Sequence, residues 1–154
     1  MNQQGGERYL EDFAVGQRFS SGRMLVEERR IIAFAAEFDP QPFHLDEAAA
    51  RKSFFGELTA SGWYTAAASM RLLTETGLNP AGGFIGAGAE GFRWPRPVRP
   101  GDELHVECEV VEVRPSASRP DRGLIRVRMT TLNQDDEATL TYIANLVVLR
   151  RQDV

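Results

Sequence analysis

Residues 59–76 form the segment that most restricts the fold. The segment contains no proline, is rich in alanine and is followed by Gly77, a residue type that often occupies the C′ position of a helix. Small residues cover most of its surface, and its bulky residues are mainly apolar or aromatic. A helix that is apolar on nearly all sides belongs in the interior of a domain. The rest of the chain must therefore supply a layer that covers it.

The second half of the chain is predicted to supply that layer as strands. Apolar and polar residues alternate over residues 103–113 and 123–132, the period of strands with one buried face. Further strands are predicted over residues 85–92 and 137–149. A row of glutamates would face a row of arginines across the two alternating strands, which favours antiparallel neighbours. We therefore expect an α+β fold, with a buried helix packed on one face of an antiparallel sheet.

Composition indicates an ordinary globular protein. The 154 residues, 42% of them hydrophobic and 26% charged, are enough for a core without metal or disulfide staples. A net charge of −4 argues against an extended nucleic-acid surface. The single cysteine, Cys108, excludes an intrachain disulfide and favours a reducing compartment. We expect residues 1–8 to be a disordered tail and residues 9–154 to be one domain.

Localisation is predicted from the absence of targeting patterns. The first ten residues lack the apolar core of a signal peptide, and no apolar run is long enough to span a bilayer. We therefore expect a cytoplasmic protein that has neither a membrane nor a nucleic acid as partner.

The most distinctive polar residues lie between two predicted helices, which cover residues 27–37 and 47–52. Asp39 and His44 are separated by four residues, two of them Pro40 and Pro42, so a rigid non-helical loop is predicted. A scaffold-held loop is a common host for a catalytic acid and base. Spacing alone also allows a turn-capping Asp39 and an incidental His44; the prolines favour the catalytic interpretation because they hold both side chains in place.

Several segments together resemble one enzyme family. Residues 39–44, DPQPFH, are similar to the Gly-Asp-x-Asn-Pro-x-His motif of the MaoC-like dehydratases, the (R)-specific enoyl-CoA hydratases of the hotdog-fold superfamily. Residues 9–19 resemble that family's opening segment. Residues 55–56 and 60–62 resemble its Phe-Gly and Ala-His-Gly segments, and residues 93–104 its Arg-Pro-Val-x-Pro-Gly-Asp connection. The resemblance covers about residues 9–149.

The resemblance implies a fold, an assembly and a reaction. The implied fold is an antiparallel sheet of five or more strands wrapped around a long central helix, and the implied assembly is a homodimer or a dimer of dimers. The implied reaction is the reversible hydration of a trans-2-enoyl-CoA to an (R)-3-hydroxyacyl-CoA. Coenzyme A enters as part of the substrate, and no metal or other cofactor is expected.

The resemblance also implies roles for individual residues. Asp39 and His44 match the catalytic pair, and Gly62 matches the glycine whose backbone N–H helps to form the oxyanion hole. A structural alternative for Gly62 is close helix–sheet packing. We expect substrate contacts from a further group of residues on the loop and on the helix: Gln41, Ser61 and Trp63.

Departures from the family pattern leave other functions open. Phe38 replaces a glycine, Gln41 replaces an asparagine and Ser61 replaces a histidine. These departures motivate the alternative of a non-catalytic acyl-CoA-binding hotdog subunit. A hotdog acyl-CoA thioesterase is a further alternative, against which the spacing of Asp39 and His44 argues. The sequence does not specify the acyl chain, the choice of coenzyme A or acyl-carrier protein, or which of the two catalytic groups takes which proton.

The second histidine, the cysteine and a group of three arginines have simpler interpretations. His105 alternates with core residues and is predicted to be solvated, whereas Cys108 is predicted to pack in the core. Three arginines in the proline-rich connection could either meet the phosphates of coenzyme A or form an ordinary charged turn: Arg93, Arg96 and Arg99.

Overall fold

The computed structural model describes residues 5–152. Within them, one antiparallel sheet has the order β1–β4–β5–β6–β3, and β2 also pairs with β4. Its strands are β1 (Arg18–Ser20), β2 (Met24–Leu25), β3 (Ile85–Arg93), β4 (Glu103–Pro115), β5 (Arg122–Leu132) and β6 (Ala138–Leu149). The α-helices are α1 (Glu28–Phe38), α2 (Pro42–Leu45), α3 (Glu47–Arg51) and α4 (Gly62–Leu73). A single 3-10 turn, Leu10–Asp12, precedes them.

The outer face of the sheet carries the predicted rows of opposite charge. Glu109 lies opposite Arg128, and Glu112 lies opposite Arg126. The two pairs form ion pairs of 3.2 and 3.5 Å. The prediction of antiparallel neighbours is confirmed, and the other face of the same strands is left to apolar residues.

The core lies between that apolar face and α4. The helix contributes Tyr64, Ala68 and Leu72, which belong to one buried cluster with residues of β4 and β5 such as Val106 and Val127. The predicted α+β arrangement, with a central helix on an antiparallel sheet, is therefore the observed one.

The limits of α4 differ from the predicted residues 59–76. The helix begins at Gly62 because the Ser61 hydroxyl accepts a hydrogen bond from the Trp63 N–H, an N-cap. It ends at Leu73. Gly77 does not adopt the left-handed conformation that a C′ glycine requires. The hydroxyls of Thr74 and Thr76 donate to nearby backbone carbonyls instead, and such bonds compete with helix continuation.

One side of α4 is exposed, so burial on nearly all sides is not found in this single chain. Trp63 and Met70 are 58% and 41% exposed, and Ala67 is exposed between them. Beside them lies β3, an exposed edge strand whose Phe92 ring packs 6.1 Å from the Trp63 ring. We call Trp63, Ala67, Met70 and β3 together the α4–β3 surface.

Two other predictions need correction. The predicted tail, residues 1–8, lies partly outside the described residues, but Arg8 pairs with Pro80, and its N–H donates to the Asn79 carbonyl at 2.9 Å. Arg8 therefore belongs to the folded domain. His105 is buried rather than solvated, and its Nε2 lies 3.4 Å from Oδ1 of Asp136, in the turn between β5 and β6.

Among the described residues, no helix combines the length and the apolar character that crossing a bilayer requires.

Candidate active site

Asp39 and His44 lie on two sides of a break between α1 and α2. Asp39 is the C-cap of α1, and its backbone leaves the helical region at φ −152° and ψ 68°. Pro42 then occupies the first position of α2, where a missing N–H costs nothing. His44 therefore lies in a one-turn helix, and the prediction of a wholly non-helical loop is wrong, because proline is compatible with the first turn of a helix.

The His44 ring is held on one side by the main chain and faces Asp39 on the other. Its Nδ1 lies 2.6 Å from the Thr59 carbonyl oxygen, and its Nε2 lies 3.5 Å from Asp39 Oδ2. A carbonyl can only accept, so Nδ1 carries the proton, and the Nε2 of a neutral ring presents a lone pair toward the carboxylate. The 3.5 Å separation is longer than an ordinary hydrogen bond, and two polar atoms at such a distance can share a bridging water molecule.

The pair opens into a cleft of about 620 Å³ that Gly62 also lines. His44 is largely buried and Asp39 is one-fifth exposed, so the imidazole forms the floor and the carboxylate lies nearer solvent. The walls are mostly apolar and include Phe54, Phe55, Trp63, Trp94 and Val98. Phe54 is 98% exposed, and its ring centroid lies 5.3 Å from that of Phe55.

Gly62 brings the amino end of α4 to this cleft. It is the first residue of the helix, where N–H groups have no partner within the helix. Within the described residues, no hydrogen bond engages the Gly62 N–H. The helix dipole adds partial positive charge at this end. The cleft therefore combines an acid, an imidazole and a free backbone donor, which is a set able to move a proton and to stabilise a developing oxyanion.

The three predicted substrate-contacting residues are placed differently from one another. Trp63 lines the cleft. Ser61 is fully buried and caps α4, so its hydroxyl is engaged with the Trp63 N–H at 3.2 Å. Gln41 is exposed and does not line the cleft. Phe38, the bulky replacement before Asp39, packs on Phe34 with ring centroids 5.2 Å apart and also stays outside the cleft.

Sequence reasoning missed two contributors to the site. The Thr59 carbonyl fixes the His44 ring, but a main-chain acceptor has no residue-type signature in a sequence. Trp94 lines the cleft, and its indole N–H donates to the Gly62 carbonyl at 3.0 Å. The one indication of this role in the sequence is that Trp94 lies next to Pro95, within the proline-rich connection.

The other charged groups near the cleft are paired. Arg96 is the one cationic residue of the cleft wall among the described residues, and its Nε lies 2.8 Å from Glu137 Oε2. Arg99 lies outside the wall, with its Nε 2.6 Å from Glu57 Oε1.

Comparison with known protein families decides the assignment. The model of the MaoC like domain matches residues 12–132. The chain belongs to the MaoC-like dehydratase family. The matched range includes Asp39, His44 and Gly62, and it runs from the 3-10 turn to the end of β5.

Relatives of this MaoC-like protein extend over most of its length. It is 35% identical over 127 residues to the uncharacterized protein YdeM of Bacillus subtilis (strain 168), which covers 82% of this chain and 89% of YdeM. Among solved structures, the MaoC-like dehydratase from Rhodospirillum rubrum is 57% identical, with a TM-score of 0.90 over 95% of this chain and 99% of that one.

Two further structures extend the comparison. The R-hydratase PhaJ1 from Pseudomonas aeruginosa is 29% identical, with a TM-score of 0.74 over 94% of this chain and 86% of that one. The ChsH1–ChsH2 complex from Mycobacterium tuberculosis shares the fold at 19% identity, with a TM-score of 0.71 over 89% of this chain and 98% of that one. The predicted hotdog fold is confirmed, and neighbours with this fold include assembled proteins.

Proposed function

We propose that this MaoC-like protein reversibly adds water to a trans-2-enoyl-CoA and forms an (R)-3-hydroxyacyl-CoA. The observation that carries the proposal is the Asp39–His44 pair, whose Nε2 and Oδ2 atoms are 3.5 Å apart in a cleft shared with the Gly62 amide. Family membership and the likeness to an R-hydratase support the hydratase type of reaction.

The first step activates a water molecule. A water between His44 Nε2 and Asp39 Oδ2 donates one hydrogen to each and directs a lone pair at Cβ of the enoyl group. As the C–O bond forms, one member of the pair takes a proton, and the electrons of the C=C bond move toward the thioester oxygen. The same pair returns a proton to Cα. The product has gained the elements of water, and the enzyme is unchanged.

The second requirement is to stabilise the enolate formed in between. Its negative charge develops on the thioester oxygen, and the Gly62 N–H at the amino end of α4 is the donor that we assign to it. Loss of one such donor typically raises the barrier by about 3 kcal/mol. The proposed steps use protein groups and water only, so neither a metal nor a redox cofactor takes part.

The substrate is assigned from the cleft walls. Phe55, Trp63 and Trp94 supply apolar surface suited to an acyl chain, and Arg96 supplies the cation of the wall. We therefore propose a coenzyme A thioester as substrate. A cytoplasmic location is part of the same proposal, since Cys108 is a buried free thiol and such thiols persist in reducing compartments.

The proposed assembly is a homodimer formed through the α4–β3 surface. Its apolar residues are exposed in the single chain, and β3 is an edge strand able to pair with another strand. A second copy would cover Trp63 and Met70 and continue the sheet. Trp63 also lines the cleft, so the acyl site would lie close to the subunit interface.

The test is turnover of a panel of trans-2-enoyl-CoA substrates of increasing chain length. Hydration is followed by loss of the conjugated enoyl-thioester absorbance, and the configuration of the product is determined by chiral chromatography. Formation of the (R)-3-hydroxyacyl thioester supports the proposal. Release of free thiol would indicate a thioesterase instead, and binding without turnover over the whole panel would indicate a binding subunit.

A further inference from the structure

Trp94 contacts the peptide group that follows Gly62. Its indole N–H donates to the Gly62 carbonyl oxygen at 3.0 Å, from the segment that follows β3. The Trp94 ring is itself packed between Trp63 and Phe92, with centroid distances of 5.4 and 5.8 Å. Contacts with these two rings therefore restrict the position of the indole N–H.

The same peptide group is held from its other end. Its N–H belongs to Trp63 and donates to the Ser61 hydroxyl at 3.2 Å, while its carbonyl accepts from Trp94. A carbonyl oxygen has two lone pairs, so the indole bond can coexist with the helical bond to the same oxygen. Both ends of the peptide between Gly62 and Trp63 are thereby fixed, although glycine itself permits wide rotation.

The preceding backbone is also anchored. The Ala60 N–H donates to the Val98 carbonyl at 2.8 Å, and the Thr59 carbonyl binds His44. Gly62 therefore lies between two anchored stretches, and the direction of its free N–H follows from them. The anchor at Thr59 connects this backbone to the catalytic imidazole, and the anchor at Trp94 connects it to the opposite wall of the cleft.

Trp94 also provides a reason for glycine at position 62. A Cβ added to Gly62 would lie 2.7 Å from both Cε2 and Nε1 of the Trp94 ring, which is closer than real Cβ contacts. Apart from the chain neighbours and the backbone of its own helix, the three atoms nearest to that added atom all belong to the Trp94 ring. The space beside Gly62 is filled by the indole.

We infer that Trp94 is a positioning residue for the hydratase reaction. Its indole holds the peptide group between Gly62 and Trp63, and together with the anchored backbone before Gly62 this directs the Gly62 N–H at the thioester oxygen. The indole is also what requires glycine at position 62. The inference rests on the proposed function. It assigns to the indole N–H of Trp94 an effect on the transition state, where charge reaches the oxygen, and it leaves the ring surface of Trp94 to contribute to binding of the ground state.

The first test removes the donor and keeps an aromatic wall. In Trp94→Phe, kcat is expected to fall about tenfold, the range for loss of one hydrogen bond, with KM within twofold of the wild-type value. The matched control is Tyr142→Phe, which removes a polar atom from the same ring cluster, where Tyr142 stacks on Phe92 at 4.5 Å. Its kcat is expected to be unchanged. An unchanged kcat in Trp94→Phe, or a change confined to KM, would overturn the inference.

The second test asks whether the Trp94 indole or the substrate is the reason that position 62 must be glycine. Gly62→Ala is expected to lose most activity in the wild-type background and to cost less than twofold in kcat when Trp94→Leu has opened the space. If the alanine costs the same factor in both backgrounds, the substrate rather than Trp94 requires the glycine, and that part of the inference fails.

A third measurement is independent of turnover. The chain has two tryptophans, and within the described residues the Trp63 indole N–H makes no hydrogen bond. In ¹⁵N spectra of the Met70→Glu variant, in which no second copy is expected to cover Trp63, the Trp94 indole proton, assigned by its loss when Trp94→Phe is added, should exchange with solvent more slowly than that of Trp63. Equal exchange would overturn the inference. A wild-type protein with slow Trp94 exchange but no turnover would refute the proposed function and leave the peptide anchor intact.

Discussion

At the scale of single residues, the orientation of His44 is set by a main-chain carbonyl. The bond from Nδ1 to Thr59 fixes the tautomer, so the Nε2 lone pair is directed at Asp39 before any substrate enters. The site is prepared in the unliganded chain.

The first prediction concerns these two side chains. Asp39→Asn and His44→Ala should each lower kcat by at least about a hundredfold, the usual contribution of a general acid or base. Asp136→Asn and His105→Gln are matched controls, because they alter the same residue types in a pair outside the cleft. Steady-state hydration rates and thermal melts of all four variants are compared. Folded Asp39 and His44 variants with wild-type rates would contradict the assignment.

The second prediction concerns Cys108. Burial raises the pKa of its thiol to about 11, so the folded protein should resist iodoacetamide at pH 8 and react only after unfolding in guanidinium. An unfolded thiol ionises near pH 8.5. The unfolded state therefore loses this proton first, and the free energy of unfolding should fall as the pH rises from about 9 to about 11. Mass spectrometry of the labelled protein checks the first part, and Cys108→Ala, which removes the group, controls for the second.

At the scale of elements, α4 sets the position of the proposed oxyanion donor, the Gly62 N–H, by where it begins. The start at Gly62 follows from the Ser61 cap, and the loss of regular helix at residues 59–60 follows from their bonds to Phe43 and Val98. A helix starting at residue 59 would bury the Gly62 N–H in its own hydrogen bonds. The shortened helix is therefore what leaves that donor free.

The third prediction tests this cap. Ser61→Ala should lower the free energy of unfolding by about 1 kcal/mol, whereas Ser61→Gly should lower it by only a few tenths. Ser118→Ala, at an exposed loop serine whose hydroxyl caps no helix, should have no measurable effect. Denaturant titration measures the three values. Equal losses for Ser61→Ala and Ser118→Ala would contradict the role of the cap.

Sequence patterns predict the strands, in which buried and exposed residues alternate. They do not predict where a helix begins when hydrogen bonds of the backbone determine its first residue. The alternation of β4 and β5 follows from side-chain chemistry and is observed. The start of α4 also depends on the bonds of Thr59 and Ala60 to distant segments, which no local pattern contains. For the site, Asp39, His44 and Gly62 could be identified by resemblance, whereas Trp94 needed the three-dimensional arrangement.

At the scale of the whole molecule, the α4–β3 surface is the region left uncovered by the fold. The sheet covers one side of α4 only, and the strand order leaves β3 unpaired on its outer edge. A second copy of the chain is the partner that we propose for it.

The fourth prediction tests that assembly. Met70→Glu puts a charge in the middle of the exposed side of α4 and should convert dimers to monomers in sedimentation velocity. Leu25→Glu is the control, since Leu25 is 57% exposed on β2, away from this surface, and should leave the dimer intact. Dimers that persist in Met70→Glu, or a wild-type monomer at micromolar concentration, would contradict the proposed interface.

The anchoring of the His44 ring by a peptide oxygen has a consequence for how such a protein can diversify. Because no side chain at position 59 is needed for this contact, substitutions around the cleft can alter its shape without disturbing the imidazole. Selectivity for the acyl group and the chemistry itself are then separable traits. A library that varies Phe54, a cleft residue whose ring packs on Phe55, should therefore yield variants that accept new substrates at turnover rates close to the parent's.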